Sequence, residues 1–194
     1  MNPITLYADE TKWIDDWVKE YKYGIIMIYL PEPHLSEVTA LRNRYFGANG
    51  DCDAHISLSV PVRRPVTQAD LAEMERLLRD MKPFDIHYGP VVEKPTHKGV
   101  MLAVTEQEEL RDLLGVVETS SIFEGAPVRK YPYLAHITVA EFVSWEQTYE
   151  IIEEIKGLPL TDSFELGYLS YAVPDQNLRF TERAWVYLGI EGKE

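Results

Sequence analysis

The sequence predicts an α/β (α+β) chain built as two similar halves, and three observations lead there. Strand-type apolar runs alternate with helix-type periodicities along the chain. The order of these elements repeats once, and each copy holds a strand that opens with a histidine and carries a hydroxyl two residues on. These are His55-Ile56-Ser57 and His136-Ile137-Thr138, 81 residues apart. Finally, 194 residues with no linker or low-complexity tract suit one domain or two closely packed halves, read here as a single unit over 1–194.

The elements follow in order. Trp13, Ile14, Trp17, Val18 and Tyr21 mark an amphipathic helix at about 10–22, ahead of the repeat. Its polar face carries Asp15, Asp16 and Glu20, which favours packing on the core over lying on a membrane. Tyr23–Leu30 is an apolar run closed by Pro31, the pattern of a buried strand. A weaker helix at about 36–46 starts at Leu35-Ser36 and runs through Val38, Leu41 and Tyr45. His55–Val60 alternates with period two. Thr67-x-x-Asp70 then opens a helix with Leu71, Met74, Leu77, Leu78 and Met81 on one face, and a strand at Phe84–Val92 closes the first copy.

The second copy runs the same way. A strand at Val100–Thr105 leads to a helix at about 106–117, opened by Thr105-x-x-Glu108 and carrying Leu110, Leu113, Leu114 and Val117. His136–Val139 alternates. Ser144-x-x-Gln147 opens a helix through Tyr149, Ile152 and Ile155, and Phe164–Val173 and Arg179–Leu188 read as closing strands.

Composition removes several function classes. Cys52 is the one cysteine, so a disulfide scaffold is excluded. Residues 1–12 hold no basic region followed by an apolar run, and the longest apolar stretch, Tyr23–Leu30, is far short of the about 20 residues that span a bilayer. A cytoplasmic protein without membrane contact is expected, and a monomer. With 19 Lys+Arg against 32 Asp+Glu, the net charge is −13. That balance opposes gripping a long nucleic acid by its phosphates, but not binding one phosphate at a local site. Glycine-rich phosphate loops are absent, so nucleoside-triphosphate-driven work is not expected. Asp51-x-Asp53-x-His55 lacks a second His or Cys at ligand spacing, and no metal or other cofactor is expected. Cys52 and His55, three residues apart, are poorly placed as a nucleophile pair.

The strand period sets the site chemistry. His55 and Ser57 share one face while Ile56 and Leu58 share the other; His136 and Thr138 are likewise opposed to Ile137 and Val139. The apolar faces meet helices, leaving two His/hydroxyl faces to line a polar surface between the halves. Two imidazoles flanking one phosphorus suit general acid–base chemistry near neutral pH, one taking a proton from the attacking oxygen and one giving a proton to the leaving oxygen. Two hydroxyls beside them would hold the non-bridging oxygens. Tyr133, three residues before His136, is a further candidate to stack a base or bond a phosphate.

The motifs His55-Ile56-Ser57-Leu58 and His136-Ile137-Thr138-Val139 resemble the paired His-x-Ser/Thr-x motifs of the 2H phosphoesterase superfamily, which includes the LigT-like 2′-5′ RNA ligases and cyclic phosphodiesterases. The resemblance extends over about 23–188 and leaves the N-terminal helix outside. It implies a bilobal fold with two antiparallel sheets around a central cleft. It also implies a metal-independent phosphodiesterase acting on nucleotides or RNA ends, and the acidic balance favours a small substrate among these: a 2′,3′-cyclic phosphate, a 2′-5′ linkage or a cyclic oligonucleotide. His55 and His136 would be the acid and base, and Ser57 and Thr138 the phosphate ligands. An RNA-end cyclic phosphodiesterase or 2′-5′ ligase, and a nucleotide- or RNA-binding module without turnover, are the alternatives. Many LigT-like members carry an arginine shortly after the second motif; here Ala140-Glu141-Phe142 follows. A cation would then come from Arg63, Arg64, Arg129 or Lys130.

Overall fold

The apolar and alternating runs form eight strands among the described residues, with four α-helices between them. They follow the chain as β1 (Ile25–Tyr29), α1 (His34–Asn43), β2 (His55–Ser57), α2 (Gln68–Leu77), β3 (Phe84–Glu93), β4 (Gly99–Val104), α3 (Glu108–Glu118), β5 (His136–Glu141), α4 (Trp145–Ile155), β6 (Asp162–Leu166), β7 (Tyr168–Pro174) and β8 (Phe180–Tyr187). The structure is a computed structural model and describes residues 16–45, 52–126, 129, 132–175 and 177–189.

All strands pair antiparallel, in the order β6-β3-β4-β5-β2-β1-β7-β8. The order is symmetric about the β2–β5 junction, since β2-β1-β7-β8 on one side is answered by β5-β4-β3-β6 on the other. The two expected sheets are thus two four-stranded halves, joined edge to edge where Ile56 pairs with Ile137. Each half borrows its third strand. β3 follows the first copy yet pairs with β4, and β7 follows the second copy yet pairs with β1.

The expected strand Phe164–Val173 is broken into β6 and β7 at Gly167, and this break shapes the sheet. The two strands lie near opposite ends of the order, yet one residue reaches at most about 3.6 Å. The sheet must therefore curl until its ends approach. Leu188 N–H donates to the Gly167 carbonyl at 3.0 Å there.

Helices cover one face. Ile26, Ile28, Ile56, Leu58, Leu102, Ile137 and Val139 pack with Val38 and Leu41 of α1, Leu71 and Met74 of α2, Leu110 and Leu113 of α3, and Ile151 and Ile155 of α4, in one buried cluster. The other face holds a small cluster of Ile25, Met27 and Ala172, flanked by Tyr21, Tyr29 and Phe180. No helix among the described residues is long and apolar enough to cross a membrane.

Two of the three expected capping boxes form, at Thr67/Asp70 and Ser144/Gln147. The third does not. Helix α3 starts at Glu108, after Gln107, whose side chain instead donates to the Asp85 carbonyl at 2.8 Å. Helix α1 runs from His34 to Asn43, leaving Tyr45 outside it. Leu77 and Tyr149, read as core-facing, are exposed; in α4 the buried positions are Thr148, Ile151 and Ile155. The last part of the expected N-terminal helix, Asp16–Tyr21, is a 3-10 helix with Val18 buried, while Trp13 and Ile14 lie outside the described residues.

The β2–β5 ladder is short, since β2 is three residues long and Ile56 pairs with Ile137 at its centre. Ile56→Ala would remove a side chain with no solvent exposure. We expect a loss of about 2–5 kcal/mol in urea unfolding, the range for truncating a fully buried aliphatic side chain.

Candidate active site

The seam register builds the site. β2 and β5 are antiparallel with Ile56 opposite Ile137, so His55 stands across from Thr138 and Ser57 across from His136. The isoleucines point into the helix-covered core, and the four polar side chains fall on the other face. Neighbouring strands complete it: Tyr29 pairs with His55 and Met27 with Ser57, while Ala103 pairs with His136 and Met101 with Thr138. β2 ends early because the Leu58 and Ser59 N–H groups both donate to the Ile26 carbonyl, a bulge pattern. The Ser59 hydroxyl is engaged in holding that bulge, accepting from Ile26 N–H at 3.0 Å and donating to the Val60 carbonyl.

Both histidines are held in the same way. His55 Nδ1 lies 2.7 Å from the Asp53 carbonyl, and His136 Nδ1 lies 2.8 Å from the Leu134 carbonyl. A carbonyl only accepts, so each Nδ1 carries the hydrogen and each Nε2 is left with its lone pair. Burial and then the Arg42 charge pull His55 down to about 3, with a smaller push from His136. Burial also lowers His136. Both imidazoles are therefore neutral at pH 7. Tyr29 and Phe180 pack around His55, at ring-centroid distances of 6.0 and 6.1 Å. Cys52 Sγ is 3.6 Å from His55 Nδ1, but burial pushes its thiol up and keeps it protonated, a poor nucleophile.

A cavity of about 370 Å³ lies against the seam. Ser57, Tyr133 and His136 line it; His55 and Thr138 are beside it on the strands but not among its lining residues. The Tyr133 hydroxyl donates to the Ser57 carbonyl at 3.2 Å, and the Arg129 guanidinium lies 5.0 Å from its ring centroid. Arg129 also donates to the Leu58 carbonyl at 2.6 Å and pairs with Glu118 at 2.9 Å. Of the other cations considered from sequence, Arg64 is bound to Asp70 and Ser121 away from the cavity, and Lys130 lies outside the described residues.

Sequence reasoning missed a cluster on the β3–β4 turn. Lys94, Thr96 and His97 line the cavity. Lys94 Nζ lies 2.7 Å and His97 Nε2 2.6 Å from Glu141 Oε1. Burial pushes Glu141 up, but the two basic partners outweigh it and hold the carboxyl below its usual range. His97 Nδ1 lies 2.9 Å from the Thr96 hydroxyl, while the carboxylate that meets its Nε2 is 44 residues away and leaves no local sequence signal. Arg42 was also missed. It is buried and donates to the Thr138 carbonyl at 2.6 Å. Its one signal is position, four residues after Val38 on the apolar stripe of α1. Among the described residues, no group of three or more His, Cys, Asp or Glu side chains converges as a metal site.

A sequence profile of the 2′-5′ RNA ligase superfamily matches residues 30–176. The fold is similar to that of E. coli LigT complexed with 3′-AMP, at 14% identity and a TM-score of 0.59, covering 87% of this chain and 98% of that one. TT0787 of Thermus thermophilus is similar at 15% identity and 0.57, covering 87% and 98%. A crystal structure titled phosphoesterase is similar at 14% and 0.58, covering 86% and 97%. No curated protein matches the chain by sequence.

The lowered histidines make the fold acid-sensitive. An unfolded imidazole titrates near 6.5, so below that pH the unfolded chain takes up protons that folded His55 refuses until about 3. Stability should be full above pH 6.5 and fall on acidification, by at most about 1.4 kcal/mol per pH unit for each imidazole. Urea midpoints at pH 7.5 and 5.5 should show a clear drop that shrinks in His55→Gln; an equal drop in both proteins would mean that His55 is not held neutral.

Proposed function

Because the chain belongs to the 2′-5′ RNA ligase superfamily, the 2H phosphoesterases, we propose that it is a metal-independent phosphodiesterase. Its substrates are small nucleotides carrying a 2′,3′-cyclic phosphate, a 2′-5′ linkage or a cyclic oligonucleotide bond. The observation that carries this reading is the mirrored pair at the seam: two imidazoles, each fixed through Nδ1 to a backbone carbonyl two residues back, each beside a hydroxyl of the facing strand.

The phosphate would sit between the two Nε2 atoms, with Ser57 and Thr138 donating to its non-bridging oxygens. One imidazole removes the proton of the attacking water as the oxygen–phosphorus bond forms. The other gives its proton to the leaving oxygen as that bond breaks. The free protein holds both rings neutral, so the acid must gain its proton with the substrate. The anionic phosphodiester favours this, because it raises the pKa of an imidazole beside it. Run backward, the same groups form the bond, which is the ligase direction. Either ring can then be acid or base.

Charge supports a nucleotide of limited size. The chain carries −13, yet Lys94 and Arg129 line the cavity and, among the described residues, no carboxylate does. An anion is drawn in locally, while a long strand would meet repulsion outside. E. coli LigT is described in complex with 3′-AMP and with NADP+, small phosphate-bearing nucleotides held by the same fold.

Turnover of 2′,3′-cyclic nucleotides, 2′-5′ dinucleotides and cyclic dinucleotides should persist in EDTA and depend only weakly on salt. Phosphorus NMR should show it fall about 10²–10⁴-fold in both His55→Ala and His136→Ala. No turnover of any of them, or turnover indifferent to both changes, would abandon the enzyme reading in favour of a binding module.

A further inference from the structure

A second cavity of about 370 Å³ adjoins the first and shares His97 with it. Lys98, Phe142, Val143 and Trp145 complete its wall. Phe142 is unusual in two ways. Its φ is 61°, in the left-handed region that a bulky side chain rarely adopts, and it is 80% exposed. The chain thus holds an aromatic ring out in water on a strained backbone, an arrangement that clusters at ligand-binding positions. Trp145 is also exposed, and stacks on Tyr149 at 6.2 Å with an interplanar angle of 21°. The Ser144/Gln147 box fixes the helix start that carries it. Glu141, the residue before Phe142, grips His97, so the end of β5 sets both the ring and the imidazole that joins the cavities.

The wall is two aromatic rings, a valine, a lysine and a histidine, again without a carboxylate among the described residues. Aromatic faces beside a cation fit a nucleobase with its phosphate. We propose that the second cavity is the subsite for the nucleotide next to the scissile phosphodiester, with its base on Phe142 and Trp145 and its phosphate at Lys98. The inference rests on the phosphodiesterase reading and narrows it. The preferred substrate is an oligonucleotide with at least one nucleotide beyond the cleaved bond, since a lone cyclic mononucleotide leaves this cavity empty.

Two substrates ending in the same group test it on the full chain: adenosine 2′,3′-cyclic phosphate, and the adenylyl dinucleotide ending in that cyclic phosphate. The kcat/KM ratio should favour the dinucleotide by about tenfold or more, and Phe142→Gly should lower that ratio by about tenfold, the scale of one stacked base. Glycine accepts the positive φ, so this variant should fold with an unchanged or raised Tm. Trp145→Ala is the second probe. A ratio near one, untouched by either change, would overturn the subsite and leave the phosphodiesterase reading standing. If neither substrate turns over, the 2′-5′ and cyclic dinucleotides decide the phosphodiesterase reading, and calorimetry with the 2′-deoxy dinucleotide 3′-phosphate tests the subsite by itself: binding weakened about tenfold in Phe142→Gly supports it, and equal binding overturns it.

Discussion

The pairing of Ile56 with Ile137 is the contact on which the rest of this structure depends. Strand side chains alternate, so burying these two under the helices turns His55, Ser57, His136 and Thr138 to the opposite face together. The same pairing marks the point about which the two halves repeat and joins them into one sheet. A slip of one residue at this seam would bury the histidines and expose the isoleucines. Core packing and site assembly are therefore a single constraint, satisfied by three residues of β2 and their partners on β5.

Electrostatics then tune what the seam assembles. Arg42 reaches the site from the helix side, bonds the backbone of the second motif strand and presses His55 toward neutrality. The Lys94–Glu141–His97 cluster works from the sheet side. Glu141 stands just past the second motif, and the cations that pair with it arrive from the turn between β3 and β4. An acidic chain thereby presents a cavity whose described lining holds no carboxylate. Lys94 and Arg129 reach that lining, each paired with a carboxylate that lies outside it.

Much of this was legible along the chain. The repeated His-x-Ser/Thr strands, their two faces and two capping boxes involve contacts within a few residues, and local periodicity reports them faithfully. The failures have local causes as well. Thr105 does not cap α3, because the helix begins three residues later behind Gln107, whose side chain bonds β3. Tyr149 keeps the spacing of the apolar stripe, yet it stacks on Trp145 in solvent while Thr148 takes the buried position.

The sequence by itself determined the order of most strands and helices and which polar groups share a strand face, though not every boundary, because alternation and capping are short-range effects. Only the tertiary structure decided that β3 and β7 exchange between the halves, that the sheet curls at Gly167, and that Arg42, Lys94 and His97 surround the motifs. Those contacts span separations of 96 residues for Arg42 with Thr138 and 47 for Lys94 with Glu141. No periodicity encodes such distances. They are set by which edges and faces remain to be buried once the local elements have formed.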